Sequence, residues 1–194
     1  MAKKSIDLLS ATDPKWVGVI LENFDAFLAD HANCERKASS LAMSMVVRYP
    51  DRPKIIPALV ELAQEELEHF GQVYELMEKR GVSLIKDEPD PYVNQLCDKM
   101  RHGRNDRFLD QLLVSSVIEC RGAERFRIIA EALEDPELKQ FYKILAGCEA
   151  KHGNVFVEMA LNYFDEDIIY PRLEELMQEE AKIVETLEWR PSLH

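Results

Sequence analysis

Apolar residues recur along most of this chain at three- and four-residue spacing, the period of an amphipathic helix. The breaks fall at proline and glycine. Thr12-Asp13-Pro14 is a helix-start signal, a capping side chain followed by a proline for the first turn. Behind it Trp16, Val19, Ile20, Phe24 and Phe27 predict a first short helix. A second is expected from about Asp30 to Tyr49, with Cys34, Ala38, Leu41 and Met45 turned inward, stopped by Pro50-Asp51-Arg52-Pro53. The next runs from about Lys54 to Arg80 and ends at Gly81. Residues 81–106 read as a connection, broken by Glu88-Pro89-Asp90-Pro91, with a short helix over 92–101. Two more long helices follow, about Arg107–Leu133 and, after Glu134-Asp135-Pro136, on to about Tyr163. A last amphipathic helix, about Ile168–Leu187, is expected to pack on the outside.

Composition narrows this without changing it. A chain of 194 residues, 46% hydrophobic and 31% charged, is expected to form one domain over 1–194 with a real core. No apolar run approaches the roughly 20 residues that cross a bilayer. Met1-Ala2-Lys3-Lys4-Ser5 carries basic residues but no apolar core of signal-peptide length behind them, so a cytoplasmic protein without a membrane partner is expected. The net charge of −12 argues against broad affinity for nucleic acid while leaving room for a local basic patch. Cys34, Cys97, Cys120 and Cys148 form no CxxC pair, so neither a zinc ribbon nor a rubredoxin-type iron site is supported. Three of them adjoin glutamates: Cys34 beside Glu35, Cys120 beside Glu119 and Cys148 beside Glu149. A neighbour one residue away is rotated about 100° around a helix, so these are expected to be small buried thiols facing packing partners.

The chemistry lies in a repeat. Glu66-Leu67-Glu68-His69 is echoed by Glu149-Ala150-Lys151-His152, and each places a carboxylate and an imidazole on one helix face. A lone glutamate precedes each, Glu35 by 31 residues and Glu119 by 30, so the halves superpose with a shift of 83 to 84. Depth agrees: Glu35 lies 15 residues before Pro50 and Glu66 13 after Pro53, while Glu119 lies 17 before Pro136 and Glu149 13 after it. At about 1.5 Å per residue each hairpin carries its candidates about 20 Å from its own turn, at one level. Four glutamates and two histidines so arranged are the ligand set of a carboxylate-bridged di-iron centre. Two long helical hairpins joined by a crossover make the chain all-α, a ferritin-like four-helix bundle with extra N- and C-terminal helices.

Rival glutamates are sorted by the repeat. Glu61, Glu65 and Glu68 compete with Glu66, and Glu65 shares a face with His69, but its equivalent in the other half is Cys148. Glu124 and Glu131 do not fit the shift and Glu119 does. His31 and His102 match nothing and are expected to face solvent or to support ligands from behind; His194 is the chain end. Carboxylates bridge two ferrous ions and each imidazole anchors one, leaving positions where O2 binds.

The segments His31-Ala32-Asn33-Cys34-Glu35-Arg36-Lys37-Ala38, Glu65-Glu66-Leu67-Glu68-His69-Phe70, Ile118-Glu119-Cys120-Arg121-Gly122-Ala123-Glu124-Arg125-Phe126 and Glu149-Ala150-Lys151-His152 resemble the bacterial tRNA hydroxylase family known as MiaE, over nearly the whole chain. The resemblance implies O2-dependent hydroxylation of the isopentenyl group of 2-methylthio-N6-isopentenyladenosine, the modified base beside the anticodon. It implies two iron ions held by Glu35, Glu66, His69, Glu119, Glu149 and His152, with no catalytic residue beyond these ligands. O2 is then a co-substrate and two electrons come from an external electron-transfer protein, since no rubredoxin-like or flavin-binding segment is present. Arg48, Arg52 and Lys54 at the first hairpin turn, with Arg101, Arg104 and Arg107 after the crossover, are the candidate contacts for the phosphates of the anticodon arm.

Two rivals stand beside this reading. One is a rubrerythrin- or ferritin-like di-iron protein in peroxide reduction or iron handling; the missing CxxC pairs and the duplicated ligand set count against it. The other is a helical interaction protein whose last helix presents Leu173, Leu176, Met177, Ile183 and Leu187 to a partner.

Overall fold

A computed structural model describes residues 7–194, and every helix or strand element assigned there is helical. In chain order the elements are α1 (Trp16–Glu22), α2 (Phe24–Arg48), a 3-10 turn (Pro53–Ile55), α3 (Ile56–Arg80), α4 (Pro91–Cys97), α5 (Arg104–Ala132), α6 (Pro136–Leu161) and α7 (Glu166–Thr186). The expectation about Met1–Ser5 lies outside the described residues. No described helix is long and apolar enough to cross a membrane.

Local chemistry accounts for several boundaries. Asp90 and Asp135 cap α4 and α6, each carboxylate accepting two backbone N–H groups of the first turn, and a proline follows each cap. Gly81 ends α3 in the left-handed conformation, φ 70°, which a side chain would oppose. One expectation is corrected at the start of the chain. Phe24 and Phe27 belong to α2, because the backbone leaves helical geometry at Asn23 (φ −129°, ψ 40°) and a new helix begins one residue later. The helix-start signal at residues 12–14 is observed: the Asp13 carboxylate accepts from the Lys15 N–H at 2.8 Å, with Pro14 between them, and the Thr12 hydroxyl reaches Glu124 at 2.7 Å.

The described chain divides into two compact units. In the unit of residues 18–88 and 189–193, α2 and α3 pack as a helical hairpin over Phe27, Leu28, Met45, Leu59, Leu62 and Val73. Ser39 ties the pair by donating to the Ala63 carbonyl at 2.8 Å. The segment near the chain end joins this unit through the Leu193 N–H, 2.7 Å from Asp30 Oδ2.

The other unit holds residues 7–17, 89–188 and 194. Its centre is α5, buried without a break from Phe108 to Val117, paired with α6 and covered by α4 and α7. Ile169, Leu173, Leu176 and Ile183 of α7 are buried, so the last helix spends its apolar face on packing. The partner-docking reading loses its surface there.

Candidate metal centre

Helical spacing positions the first triplet. On α2 and α3, Glu35, Glu66 and His69 are buried, and one ligand atom of each lies within 4.8 Å of the others. His69 Nδ1 stands 3.6 Å from Glu66 Oε2 and 3.8 Å from Glu35 Oε2. Burial pushes the imidazole down, but the Glu35 and Glu66 carboxylates beside it outweigh that and raise it to about 11. The two carboxylates thus demand a positive charge between them, which a metal ion would supply in place of the proton.

The second triplet repeats the arrangement on α5 and α6. Glu119, Glu149 and His152 each place one ligand atom within 4.8 Å of the others, with His152 Nδ1 3.8 Å from Glu149 Oε2. Glu149 and His152 are buried and Glu119 is half-buried. The helices approach closely beside His152: a Cβ on Gly153 would lie 2.6 Å from Cys120 Sγ and 3.2 Å from the Ser116 carbonyl oxygen. Ser116 closes the contact by donating to the Gly153 carbonyl. The equal depths expected from the sequence are thus observed within each hairpin.

The competing acidic residues go elsewhere. Glu61, Glu68 and Glu131 are exposed and Glu65 is half-buried. Glu124 accepts from the Thr12 N–H at 3.0 Å and from the Thr12 hydroxyl, and pairs with Arg121. All four cysteines are half-buried rather than buried, and among the described residues none joins either triplet. Burial, foremost, raises the Cys120 thiol to about 12.

Sequence reasoning left His31 open and missed a buried charge network. His31 is fully buried with Nε2 2.6 Å from Glu35 Oε1; its place one turn before Glu35 is the signal that could have found it. Two residues past Glu119, the fully buried Arg121 donates to Glu180 Oε1 at 2.7 Å and Oε2 at 3.0 Å, and to the Ser10 carbonyl at 2.8 Å. Tyr92 adds a hydroxyl at 3.0 Å from Glu180. Arg125 lies over Trp16, 4.9 Å from the ring centroid, and burial pulls its guanidinium down to about 10.

Of the basic candidates, Arg48, Lys54 and Arg104 are exposed, and Arg52 and Arg107 half-buried. Arg101 is engaged within the fold, where it and Arg172 grip the buried Asp110, at 2.8 Å from each guanidinium. His102 is exposed, and His194 stacks on Tyr92 with centroids 5.1 Å apart.

The family profile described as tRNA-(MS[2]IO[6]A)-hydroxylase (MiaE) matches residues 1–194. A tRNA 2-(methylsulfanyl)-N(6)-isopentenyladenosine(37) hydroxylase of Pseudomonas putida (strain KT2440) is 34% identical over 175 residues, 90% of this chain and 85% of that protein. A protein of the same name from Salmonella typhimurium (strain LT2) is 33% identical over 115 residues, 59% of this chain and 42% of that protein. Among solved structures, a Synechococcus protein with aldehyde deformylating oxygenase activity superposes with a TM-score of 0.91 at 36% identity, covering 96% of this chain and 94% of its own. The all-α, ferritin-like class read from the helical pattern is the observed one.

Proposed function

The chain belongs to the MiaE family of tRNA hydroxylases, and on that premise we propose that it hydroxylates the isopentenyl group of 2-methylthio-N6-isopentenyladenosine in tRNA at a two-iron centre. The observation that carries the reading is the repeated triplet: in each hairpin two carboxylates and one imidazole converge at one depth. The donor set fits the metal, since hard carboxylates with one imidazole per half suit ferrous iron. In this reading Glu35, Glu66 and His69 with Glu119, Glu149 and His152 serve one centre, as the 83–84 shift supports, and residues 1–194 act as one domain.

Two bound iron ions would supply the reduction of O2 needed to place one oxygen atom on carbon. The balance is one C–H bond lost, one C–O–H formed, and the second oxygen atom leaving as water. Two electrons and two protons are required, and the electrons come from an external electron-transfer protein. The six residues of this chain named above would hold the ions, and Val117 and Phe156 are buried on α5 and α6. Arg48, Arg52, Lys54, Arg104 and Arg107 take the phosphates of the anticodon arm, with Arg101 fixing its own segment through Asp110. A tRNA substrate places the protein in the cytoplasm.

The Synechococcus likeness favours a second reading, aldehyde deformylation, because it covers nearly the whole chain at 36% identity. One experiment separates them. Iron-loaded protein, reductant and O2 are incubated with tRNA carrying the modified base or with an aldehyde. A one-oxygen gain on the nucleoside, absent in Glu119→Ala, is expected. An unchanged nucleoside with loss of the aldehyde would overturn the tRNA reading.

A further inference from the structure

Glu35 and Glu119 hold the same place in the repeat, yet their helices treat them differently. One turn before Glu35 stands His31, fully buried, with Nε2 2.6 Å from Oε1. An ionised carboxylate only accepts, so the ring nitrogen carries the proton and donates it. That engages Oε1, and the other oxygen, Oε2, is the one 3.8 Å from His69 Nδ1. Phe27, a turn earlier again, stacks on the imidazole with centroids 5.7 Å apart and holds the plane of the ring.

One turn before Glu119 the chain offers Ser115. Its hydroxyl is buried and makes no hydrogen bond among the described residues. Glu119 is half-buried, whereas Glu35 is 3% exposed. The first half of the repeat clamps its lone glutamate and the second has no histidine in the matching position.

We propose that His31 is a positioning residue that presents Glu35 to the metal through one oxygen, a constraint that no histidine supplies one turn before Glu119. The inference rests on the metal-binding reading above. Partners that orient metal ligands from behind are typically worth about 10–100-fold in metal affinity.

The test is a Co(II) titration of the full chain stripped of metal, followed by visible absorption and by competition with a chelator. His31→Phe keeps the ring volume and the stack on Phe27 but has no donor; His31→Gln restores an N–H. Wild type binds two equivalents. His31→Phe is expected to weaken one of them by about 10–100-fold and leave the other within about threefold, and His31→Gln to recover most of the loss. Ser115→Ala leaves both unchanged. Should His31→Phe fail to fold by circular dichroism, His31→Asn, too short to reach Oε1, takes its place. Binding like wild type, an equal weakening of both equivalents, or a His31→Gln protein as weak as His31→Phe would overturn the inference. A wild type that binds no Co(II) would sink the metal reading itself, a separate result.

Discussion

Removing the Glu180 carboxylate should destabilise this protein more than any surface change, and the structure sets the size. Arg121 and Glu180 are both 0% exposed, and the pair is joined by two bonds of 2.7 and 3.0 Å. In Glu180→Leu the guanidinium stays buried and keeps, among the described residues, Glu124, the Ser10 carbonyl and the Thr12 hydroxyl, and the Tyr92 hydroxyl loses the Glu180 acceptor. Breaking one side of a buried pair costs about 3–5 kcal/mol. The surviving Glu124 contact puts the expectation near the lower end, about 3 kcal/mol. At roughly 2–4 °C per kcal/mol for a chain of this size, the melting midpoint falls by ~6–12 °C. Replacing both partners, Arg121→Met with Glu180→Leu, removes the stranded charge and should restore half or more of the loss. Urea unfolding of the metal-free protein, read by far-ultraviolet circular dichroism, measures all four corners of the cycle. A single-variant loss below about 1 kcal/mol, or a double variant equal to the sum of the two singles, would refute the reasoning.

Three further outcomes follow from separate parts of the structure. Glu66→Gln should lose bound metal while Glu65→Gln, one residue away and half-buried, retains it; metal content by elemental analysis decides, and equal losses would contradict the assignment. Gly153→Ala should cost about 1–3 kcal/mol by overpacking, since its Cβ meets Cys120 Sγ at 2.6 Å, and Cys120→Ala should recover part of that in a urea titration. Burial opposes ionisation of Asp110, but hydrogen bonds from Arg101 and Arg172 hold its carboxyl below the usual range. Its contribution is therefore present above about pH 4 and fades as pH falls through the lower folded value. Asp110→Asn should lose stability at pH 7 and show a flatter acid limb than wild type in unfolding midpoints from pH 7 to 3.

Periodicity and repeat spacing made the long helices and the six candidate ligands legible, because both depend on positions along one helix. Glu66 could be told from Glu65 by its echo in Glu149, and the structure buries the one and half-exposes the other. What stayed hidden depends on chain segments far apart. Glu124 and Glu180 look like ordinary surface acids until Arg121 brings them together across 59 residues in one case and with the Ser10–Thr12 segment in the other. Arg101 looks like a phosphate contact for the same reason: nothing local says that Asp110 is buried beneath it. The break at Asn23 was missed because Phe24 and Phe27 continue the apolar period of Trp16 and Ile20, and periodicity does not register a one-residue interruption.

If this chain places an oxygen atom from O2 on the modified adenosine of tRNA, the label of that atom is decisive. Iron-loaded protein is reduced, mixed with that tRNA under heavy-isotope oxygen gas, and the digested nucleosides are weighed. One heavy oxygen atom is expected on 2-methylthio-N6-isopentenyladenosine, and none in the Glu119→Ala reaction. A product carrying oxygen from water, or an unmodified base beside fully reoxidised iron, would contradict the hydroxylase assignment.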